Sequence, residues 1–335
     1  MTTRNIWRLT ARPVGDIADG DLSYTTELVP DLAPGQFSLR IVYLSLDPTN
    51  RIWMSDQEQY MPPVELGAGM RGGVVGRVVD SRKDGVEPGD VYAGLGEWTD
   101  LMVTDGTGLQ RLPEIPGISL AQSFGTLGLV GPTAYFGLLD IGKPQPGETL
   151  VVSAAAGGVG QVVGQIGKIK GCRVIGIAGG PDKCRYVVDE LGFDACIDYK
   201  AQDVGAELDR LAPDGIDINF EQVGGPIMAT VLARMKLFGR VPLCGMISQY
   251  NESVPEPAGI WTMMLMRRLT VRGFIVTDFG ARFGEAAMAL AGWMLSGQMK
   301  TRQDIRPGLE TAADAVKLLY SGGNFGKLLI EVSKP

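Results

Sequence analysis

The strongest constraint on the fold is an apolar strand that runs directly into a glycine-rich turn and then into a helix. Residues 149–155 (TLVVSAA) form the strand, residues 157–160 (GGVG) the turn, and residues 161–170 have a helical pattern. Strands that are buried on both faces and separated by crossover helices form a parallel sheet. The middle of the chain is therefore predicted to be built of βαβ units. Further strands are predicted at 173–178, 195–198, 216–220 and 240–244, and further helices near 182–191 and 227–237.

The glycine turn has the pattern A-x-G-x-x-G from Ala155 to Gly160, one step from the usual dinucleotide fingerprint G-x-G-x-x-G. Small residues let the backbone approach a pyrophosphate, and the following helix N-terminus offers N–H groups and a partial positive charge. A glycine turn that serves only close packing is the alternative. The position of the turn between a strand and a helix favours nucleotide binding. The predicted pyrophosphate contacts are Gly157, Gly158, Val159 and Gly160.

The end of the next strand indicates which nucleotide is bound. NAD sites place an Asp or Glu there to hold the ribose 2′-hydroxyl. This strand ends in residues 176–180 (GIAGG) without an acid, and Lys183 and Arg185 follow. The missing acid admits a 2′-phosphate, and Lys183 can bind it as a point charge. Solvated surface cations are the alternative reading, but the combination favours NADPH over NADH.

The N-terminal third has short strands separated by turns. Strands are predicted at 37–44, 73–79 and 90–95, with a turn at 87–90 (EPGD). Together they predict a partly open β-barrel. Near the C-terminus a helix at 311–320 precedes a strand at 328–332, which we expect to return to this first domain. The predicted domains are therefore 1–125 with 301–335, and an inserted nucleotide domain at 126–300.

Composition excludes several function classes. The 335 residues include no histidine, which removes Ser-His-Asp and Cys-His hydrolases and the usual catalytic zinc sites, so no metal is expected. The net charge of −7 argues against a nucleic-acid partner. Neither a membrane span nor a secretory signal is expected. The four cysteines form no CxxC pair, which is typical of a reducing cytoplasmic location.

Segments along nearly the whole chain resemble the prostaglandin reductase (leukotriene B4 dehydrogenase) and alkenal double-bond reductase branch of the medium-chain dehydrogenases/reductases. The resemblance implies a Rossmann doubly wound parallel sheet inserted into a GroES-like partly open β-barrel domain. It also implies NADPH as cofactor, independence of zinc and a homodimer. The matching segments are 153–160, 165–180, 46–48 (LDP), 138–142 (LLDIG), 223–225 (VGG), 242–251 (PLCGMISQYN), 273–276 (GFIV) and 324–327 (NFGK).

The resemblance also assigns residues to the cofactor. Lys183 and Tyr199 would lie near the 2′-phosphate, and Asn324 would approach from the C-terminal segment. The residues implied on the nicotinamide side are Cys244, Gly245, Met246, Ile247, Ser248, Tyr250, Phe274, Ile275 and Val276. The chain departs from the family at three places. Thr49 and Asn50 follow LDP where a Tyr is common, Pro132 is displaced, and Gln222 stands where an Asn often binds the cofactor.

The implied reaction is NADPH-dependent reduction of the C=C bond of an α,β-unsaturated aldehyde or ketone. Hydride transfer to the β-carbon leaves negative charge on the carbonyl oxygen, where a hydrogen-bond donor lowers the barrier. Tyr250 is the candidate donor, directly or through the cofactor ribose, and a tyrosine that only packs is the alternative. Two other functions stay open. One is a quinone oxidoreductase of the same superfamily, and the other is a non-catalytic NADPH-binding regulatory protein.

Three further features are weaker candidates. Asp47 and Arg51 could form an active-site charge pair, although a structural ion pair is the commoner use of such residues. Cys244 could be reactive, but a cysteine on an apolar strand is usually inert. A soft substrate wall or a core or dimer-contact helix would account equally well for Trp261, Met263, Met264 and Met266.

Overall fold

The structure is a computed structural model that describes residues 2–252 and 261–335. The chain divides into two compact units. One contains the residues up to Phe124 together with Asp304–Asn324 and Leu328–Pro335, and the other contains Gly125–Gln303 and Phe325–Lys327. The second unit is thus an insertion in the first. The sequence predicts that a nucleotide domain occupies residues 126–300. That assignment of function to the inserted unit stays a prediction.

The N-terminal part of the first unit consists of antiparallel strands. Strand β3 is buried along almost its whole length and pairs with both β4 and β6. The turn expected at 87–90 is present, with a bond from the N–H of Asp90 to the carbonyl of Glu87 and Gly89 at a φ of 95°. The elements are β1 (Thr3–Leu9), β2 (Leu22–Leu28), β3 (Phe37–Ser45), α1 (Thr49–Trp53), β4 (Arg71–Ser81), β5 (Val91–Glu97), β6 (Leu101–Thr104), β7 (Leu109–Arg111) and α2 (Leu120–Gln122).

The second unit alternates strands and helices. Its six strands are all parallel to their neighbours, in the order β10-β9-β8-β11-β12-β13. The elements are α3 (Val130–Phe136), β8 (Thr149–Val152), α4 (Gly158–Ile169), β9 (Arg173–Ala178), α5 (Pro181–Arg185), β10 (Ala195–Asp198), α6 (Val204–Leu211), β11 (Ile216–Phe220), α7 (Gly225–Leu232), β12 (Met235–Leu243), α8 (Trp261–Arg267), β13 (Thr270–Gly273) and α9 (Phe283–Leu295).

This strand order is that of the doubly wound dinucleotide-binding sheet, which confirms the predicted Rossmann fold. Strands β8 and β11 are neighbours in the sheet although two strands separate them along the chain. Ligands of open parallel sheets bind beside the carboxyl ends of the strands at such a reversal of strand order. The loops that follow β8, β9, β11 and β12 are therefore the candidate ligand-binding loops.

The chain ends with β14 (Gln303–Pro307), α10 (Ala312–Ser321) and β15 (Lys327–Glu331). Strand β15 pairs antiparallel with β3, with Leu329 opposite Ser45. This confirms that the terminal strand returns to the first unit. The main sheet there has the order β14-β15-β3-β4-β5-β7. Its core contains the fully buried side chains of Phe37, Leu39, Leu44, Met70 and Trp98.

Strands 173–178, 195–198 and 216–220 have the predicted bounds, and the other elements differ to varying extents. The strand predicted at 240–244 is β12, which already begins at Met235. The strand predicted at 149–155 ends at Val152, because Ala154 has a left-handed φ of 49° that no strand can continue through. The helix predicted at 182–191 is α5 followed by a π-helical turn at Tyr186–Glu190. The helix predicted at 227–237 ends at Leu232, since β12 already begins at Met235.

The sequence patterns also missed a helical stretch at Leu120–Gly142. Among the described residues it is the one helix long and apolar enough to cross a membrane, by length and composition alone. Most of it is buried inside the protein, and the core helix of a globular domain passes the same test. Close packing explains its glycines, since a Cβ on Gly131 would lie 2.3 Å from the carbonyl oxygen of Thr126. A Cβ on Gly137 would lie 2.5 Å from the Phe274 ring.

Candidate functional site

The glycine turn joins the end of β8 to the start of α4. Gly157 caps α4 with extended backbone and supplies no side-chain cap, so the helix presents its first N–H groups at this turn. A Cβ on Gly160 would lie 2.3 Å from the carbonyl oxygen of Ala154. Only glycine allows the helix to start so close to the strand. This is the role of the third glycine in the dinucleotide fingerprint, and the turn fits a pyrophosphate.

Residues near the C-terminus lie against this turn. The N–H of Gly326 donates to the carbonyl of Ala156 at 3.0 Å. Gly326 has a φ of 92°, and a Cβ there would lie 2.3 Å from the carbonyl oxygen of Arg302. The Arg302 guanidinium stacks over the Phe325 ring at 4.0 Å. Asn324, the predicted cofactor contact, immediately precedes Phe325 in the chain.

A second group of predicted residues meets at the carboxyl ends of β9 and β10. A Cβ on Gly179 would lie 2.9 Å from the Tyr199 ring and 3.0 Å from the Cε atom of Lys200. The N–H of Gly180 donates to the Asp198 carboxylate at 2.8 Å, and α5, with Lys183, begins at the next residue. The geometry therefore places the Tyr199 and Lys200 side chains beside Gly179, and Lys183 follows closely in the chain on α5. Lys200 was not predicted from the sequence, although a cation directly after Tyr199 could have indicated a further phosphate contact.

The other cation considered there, Arg185, is paired. Its guanidinium forms a salt bridge with Asp182 within α5. Both side chains are exposed, so this ion pair adds little stability. The guanidinium of Arg185 is thus engaged within its own helix.

A buried carboxylate organises the loop after β11. Glu221 is fully buried, and its Oε1 accepts hydrogen bonds from the N–H groups of Val223 at 2.7 Å and Gly224 at 2.9 Å. The Ser153 hydroxyl also donates to Oε1 at 3.2 Å, and the Asn219 amide donates to Oε2 at 2.8 Å. A buried charge is tolerated when it is bonded in this way. Glu221 thus ties the loop to the end of β8.

Gln222 takes part in the same link between loops. Its side-chain amide donates to the carbonyl of Ser153, and its backbone N–H donates to the Ser153 hydroxyl at 2.9 Å. The residue predicted at the cofactor is therefore held at the carboxyl edge of the sheet. Glu221 was not predicted from the sequence, although an acid directly after the largely buried strand β11 indicates a carboxylate with hydrogen-bond partners.

The loop after β12 packs against the loop after β11. The Ser248 hydroxyl donates to the carbonyl of Val223 at 2.6 Å, and the N–H of Ile247 donates to the carbonyl of Gln222 at 3.1 Å. Met246 lies against Gly224, because a Cβ added at Gly224 would lie 3.0 Å from the Met246 Cβ. The structure therefore brings together most of the residues that the family resemblance assigns to the nicotinamide side.

Tyr250 and Cys244 end up in different environments within that loop. The Tyr250 hydroxyl accepts a hydrogen bond from the N–H of Met246 at 3.1 Å and lies beside Gly245. Burial, with a smaller contribution from Glu221, raises the pKa of the Cys244 thiol to about 12. This thiol stays protonated at neutral pH, which favours the inert reading of Cys244.

Phe274, Ile275 and Val276 follow β13 at the same edge of the sheet. The Phe274 ring packs edge-on against Phe220 and Phe279, with ring centroids 6.4 Å away in each case. Phe274 therefore has a clear packing function. Ile275 is the N-cap of the 3₁₀ helix that begins at Val276.

The first unit carries its own polar cluster around α1. The indole N–H of Trp53 donates to the Tyr60 hydroxyl at 3.0 Å, which also bonds the Thr49 hydroxyl at 2.5 Å. The Arg71 guanidinium lies 5.6 Å from the Trp53 ring centroid. Burial raises the pKa of Tyr60 and lowers that of Arg71. A tyrosine hydroxyl thus lies next to Thr49, which replaces the tyrosine common in the family.

Arg51 has a structural function in the same unit. Its guanidinium donates to the carbonyls of Pro13 and Gly15, each at 3.0 Å. Burial lowers the pKa of Arg51. Asp47 accepts from the Ser45 hydroxyl at 2.5 Å. These bonds support a structural use of both residues over a catalytic charge pair.

Within 2–252 and 261–335, no three His, Cys, Asp or Glu side chains are grouped so as to hold a metal ion. The expectation that the chain needs no zinc stays a prediction, which metal analysis can test.

Comparison with known proteins agrees with this geometry. A family model described as the N-terminal domain of oxidoreductase matches residues 5–112, and one described as zinc-binding dehydrogenase matches 158–292. The chain is 43% identical to the NADPH-dependent curcumin reductase of Escherichia coli, covering 98% of this chain and 96% of that one. It is 37% identical to prostaglandin reductase 1 of Rattus norvegicus, covering 99% and 100%. The crystal structure of CurA in complex with NADPH from Vibrio vulnificus has a TM-score of 0.94 and 42% identity, covering 99% and 100%.

Proposed function

This chain belongs to the medium-chain dehydrogenase/reductase family, in the branch of the curcumin and prostaglandin reductases, and we propose that it reduces the C=C bond of an α,β-unsaturated aldehyde or ketone. It is an NADP-dependent oxidoreductase, and NADPH is its cofactor. The observation that carries the finer proposal is the meeting of the loops after β8, β11 and β12 at one edge of the sheet, with a tyrosine hydroxyl on the last of them.

The proposed cofactor contacts follow the loops of the second unit. The turn after β8 would hold the pyrophosphate through its N–H groups, and the group formed by Lys183, Tyr199 and Lys200 would hold the 2′-phosphate. The absence of an acid at the end of β9 supports the second assignment. The remaining proposed contacts are Gln222, Cys244, Gly245, Met246, Ile247, Ser248, Tyr250, Phe274, Ile275, Val276 and Asn324.

Bound NADPH would supply the hydride that adds to the β-carbon of the substrate. The charge that develops on the substrate carbonyl oxygen needs a hydrogen-bond donor, and we assign this to Tyr250. Its oxygen accepts from the Met246 N–H, which orients the phenol and polarises its O–H. The hydroxyl would donate either to the substrate oxygen or to the cofactor ribose. Solvent can protonate the α-carbon, so the reaction needs no histidine.

A panel of enals, enones and quinones tests the reaction, with NADPH consumption followed by absorbance. We expect turnover of enones or enals and a saturated carbonyl product identified by mass spectrometry. Turnover of quinones alone would contradict the proposal and favour a quinone oxidoreductase. Tight NADPH binding without oxidation across the whole panel would favour a regulatory protein. The panel therefore separates the three functions that the sequence left open.

We also propose that the protein is a homodimer, with an apolar patch on α8 and β12 as the interface. Trp261 is 72% exposed, Leu265 69% and Phe238 67%, whereas Met264 packs into the core of the parallel sheet. The two elements are neighbours in the second unit, and large apolar side chains exposed close together often mark protein–protein interfaces. Light scattering should give the mass of a dimer, and Leu265→Glu should shift it to a monomer. Met288→Glu on α9, an equally exposed site, should leave the dimer intact.

A cytoplasmic location is proposed from the cysteines. All four are free thiols, as is usual in a reducing compartment. Fractionation of cells with an antibody to the protein should recover it with the cytosolic marker, and recovery in the membrane pellet would contradict the proposal.

A further inference from the structure

Two of the four cysteines lie against each other beside the proposed 2′-phosphate group. Cys184 is on α5 and Cys196 is on β10, and the Cys196 thiol donates to the Cys184 sulfur with the two sulfur atoms 3.2 Å apart. A disulfide holds its sulfurs ~2.05 Å apart, so this pair would have to approach by about 1.1 Å. The other two cysteines are elsewhere. Cys172 donates to the carbonyl of Gln145, and Cys244 lies in the loop after β12.

We propose that Cys184 and Cys196 form an oxidation site that closes to an intramolecular disulfide, and that this disulfide weakens NADPH binding. The first half depends only on the geometry of the two sulfurs. The second half rests on the proposed 2′-phosphate site. Disulfides in reducing compartments are usually transient and redox-sensing, which is the use inferred here.

A hydroperoxide is the oxidant class that completes the chemistry. The Cys184 thiolate attacks the peroxide oxygen, so an S–O bond forms, the O–O bond breaks and the leaving oxygen departs as water or alcohol. The Cys196 sulfur then attacks the sulfenic sulfur, forming the S–S bond and releasing the second oxygen as water. The two thiols lose two electrons and two protons in total, and the peroxide is reduced.

The order of attack follows from the contact between the thiols. Burial raises the pKa of both groups, so both are thiols at neutral pH and the reaction is slow. The hydrogen bond from Cys196 opposes this effect at Cys184 and raises the pKa of Cys196 further. Cys184 is therefore the more easily ionised thiol and attacks first, and Cys196 resolves the intermediate.

The disulfide would act on the cofactor site because both cysteines adjoin it in the chain. Cys184 follows Lys183, and Cys196 lies two residues before Asp198, which accepts the Gly180 N–H at 2.8 Å. Drawing α5 toward β10 would shift the backbone that carries Lys183, the neighbour of Cys184 in the chain. Gly179 cannot absorb that movement freely, because the Tyr199 ring and the Lys200 stem already lie against it. Bound NADPH should in turn slow the oxidation, since coupling between two sites is reciprocal.

The first arm of the test measures the disulfide itself. The full chain is treated with hydrogen peroxide, and its intact mass and a non-reducing peptide map are recorded. We expect the loss of two hydrogens, a peptide linking Cys184 to Cys196, and reversal by dithiothreitol. Cys184→Ser and Cys196→Ser should each abolish the link, whereas Cys172→Ser should retain it. An unchanged mass, or a link through another cysteine, would overturn the proposal.

The second arm measures cofactor binding by fluorescence titration. The oxidised protein should bind NADPH at least several-fold more weakly than the reduced protein, with NADH affinity unchanged and peroxide-treated Cys184→Ser, which lacks the attacking thiol, unaffected. A disulfide that leaves NADPH affinity unchanged would overturn the coupling. If Lys183→Ala also leaves the preference for NADPH over NADH unchanged, the cofactor assignment has failed instead, and the mass result still decides the disulfide.

Discussion

The hydroxyl oxygen of Tyr250 accepts a hydrogen bond from the backbone N–H of Met246, 3.1 Å away in the same loop. A tyrosine hydroxyl has one hydrogen to donate and two lone pairs to accept. The Met246 N–H occupies one of these lone pairs. The loop thereby positions a donor at the carboxyl edge of the sheet, where we propose that reduction occurs.

Tyr250→Phe should lower kcat for any accepted enone. Loss of one oxyanion donor typically costs ~10²–10³ in kcat, and we expect about tenfold here because a ribose hydroxyl can share the charge. If Tyr250 donates directly to the substrate, NADPH affinity stays constant. If it orders the ribose, affinity falls as well. Steady-state kinetics and fluorescence titration measure the two quantities.

Tyr135→Phe is the matched control for this variant. Its hydroxyl bonds Glu285 at 3.1 Å on another part of the same unit, so both kcat and affinity should stay at the parent values. Parent kinetics in Tyr250→Phe would show that Tyr250 only packs, and the catalytic assignment would be abandoned.

Lys183→Ala should weaken NADPH far more than NADH. A hydrogen bond to a charged group contributes ~1.5–3 kcal/mol, which corresponds to roughly 10- to 100-fold in the Kd for NADPH. Lys200→Ala should also weaken the binding of NADPH, but by a smaller factor. Lys170 is an exposed lysine just beyond α4, and Lys170→Ala should leave the affinities for NADPH and NADH unchanged. Equal losses for NADPH and NADH would show that Lys183 does not meet a 2′-phosphate.

Gly160→Ala should impair both folding and cofactor binding, because its Cβ would lie 2.3 Å from the Ala154 carbonyl oxygen and α4 would have to shift. Thermal unfolding should occur several degrees lower. Gly292→Ala is the control within α9, where an added Cβ meets nothing within 4 Å. That variant should be stabilised by ~0.5–1 kcal/mol, since glycine is unfavourable in a helix interior. Parent stability and affinity in Gly160→Ala would contradict the close packing of the turn.

Glu221→Gln should destabilise the second unit. An amide nitrogen would replace one acceptor oxygen among donors such as the N–H groups of Val223 and Gly224. A buried donor without a partner costs ~1–3 kcal/mol, which chemical denaturation can measure. Glu207→Gln, on the surface of α6, should cost much less. A change below 0.5 kcal/mol at Glu221, about the usual limit for surface sites, would contradict the proposed structural function of this carboxylate.

Removal of metal should leave activity unchanged. The chain has no histidine, and no suitable cluster of ligands occurs among the residues the structure describes. Protein dialysed against a strong chelator should retain full enone turnover, and elemental analysis should give zinc well below one atom per chain. Stoichiometric zinc, with activity lost on its removal and restored on its return, would contradict the zinc-independent assignment.

The sequence alone determined the class of the fold and the cofactor turn. The alternation of apolar runs and helices is a local signal, because a strand buried on both faces requires an uninterrupted apolar run. The GGVG turn between β8 and α4 was recognisable for the same reason, since it lies between two strongly patterned elements. The nine-residue strand β3 was found at nearly its full length, whereas β1 and β2 were missed because their alternation is weak.

Only the tertiary structure decided how the loops meet. Ala154 has a left-handed backbone conformation at the point where the chain turns from β8 toward α4. No local sequence pattern predicts that conformation. Glu221 is buried because donors from residues before and after it in the chain converge on its carboxylate. Cys184 and Cys196 touch because the parallel order of the sheet brings β10 under α5, although an element boundary separates them in the sequence. These relationships depend on contacts between elements, and a one-dimensional pattern carries no information about which elements become neighbours.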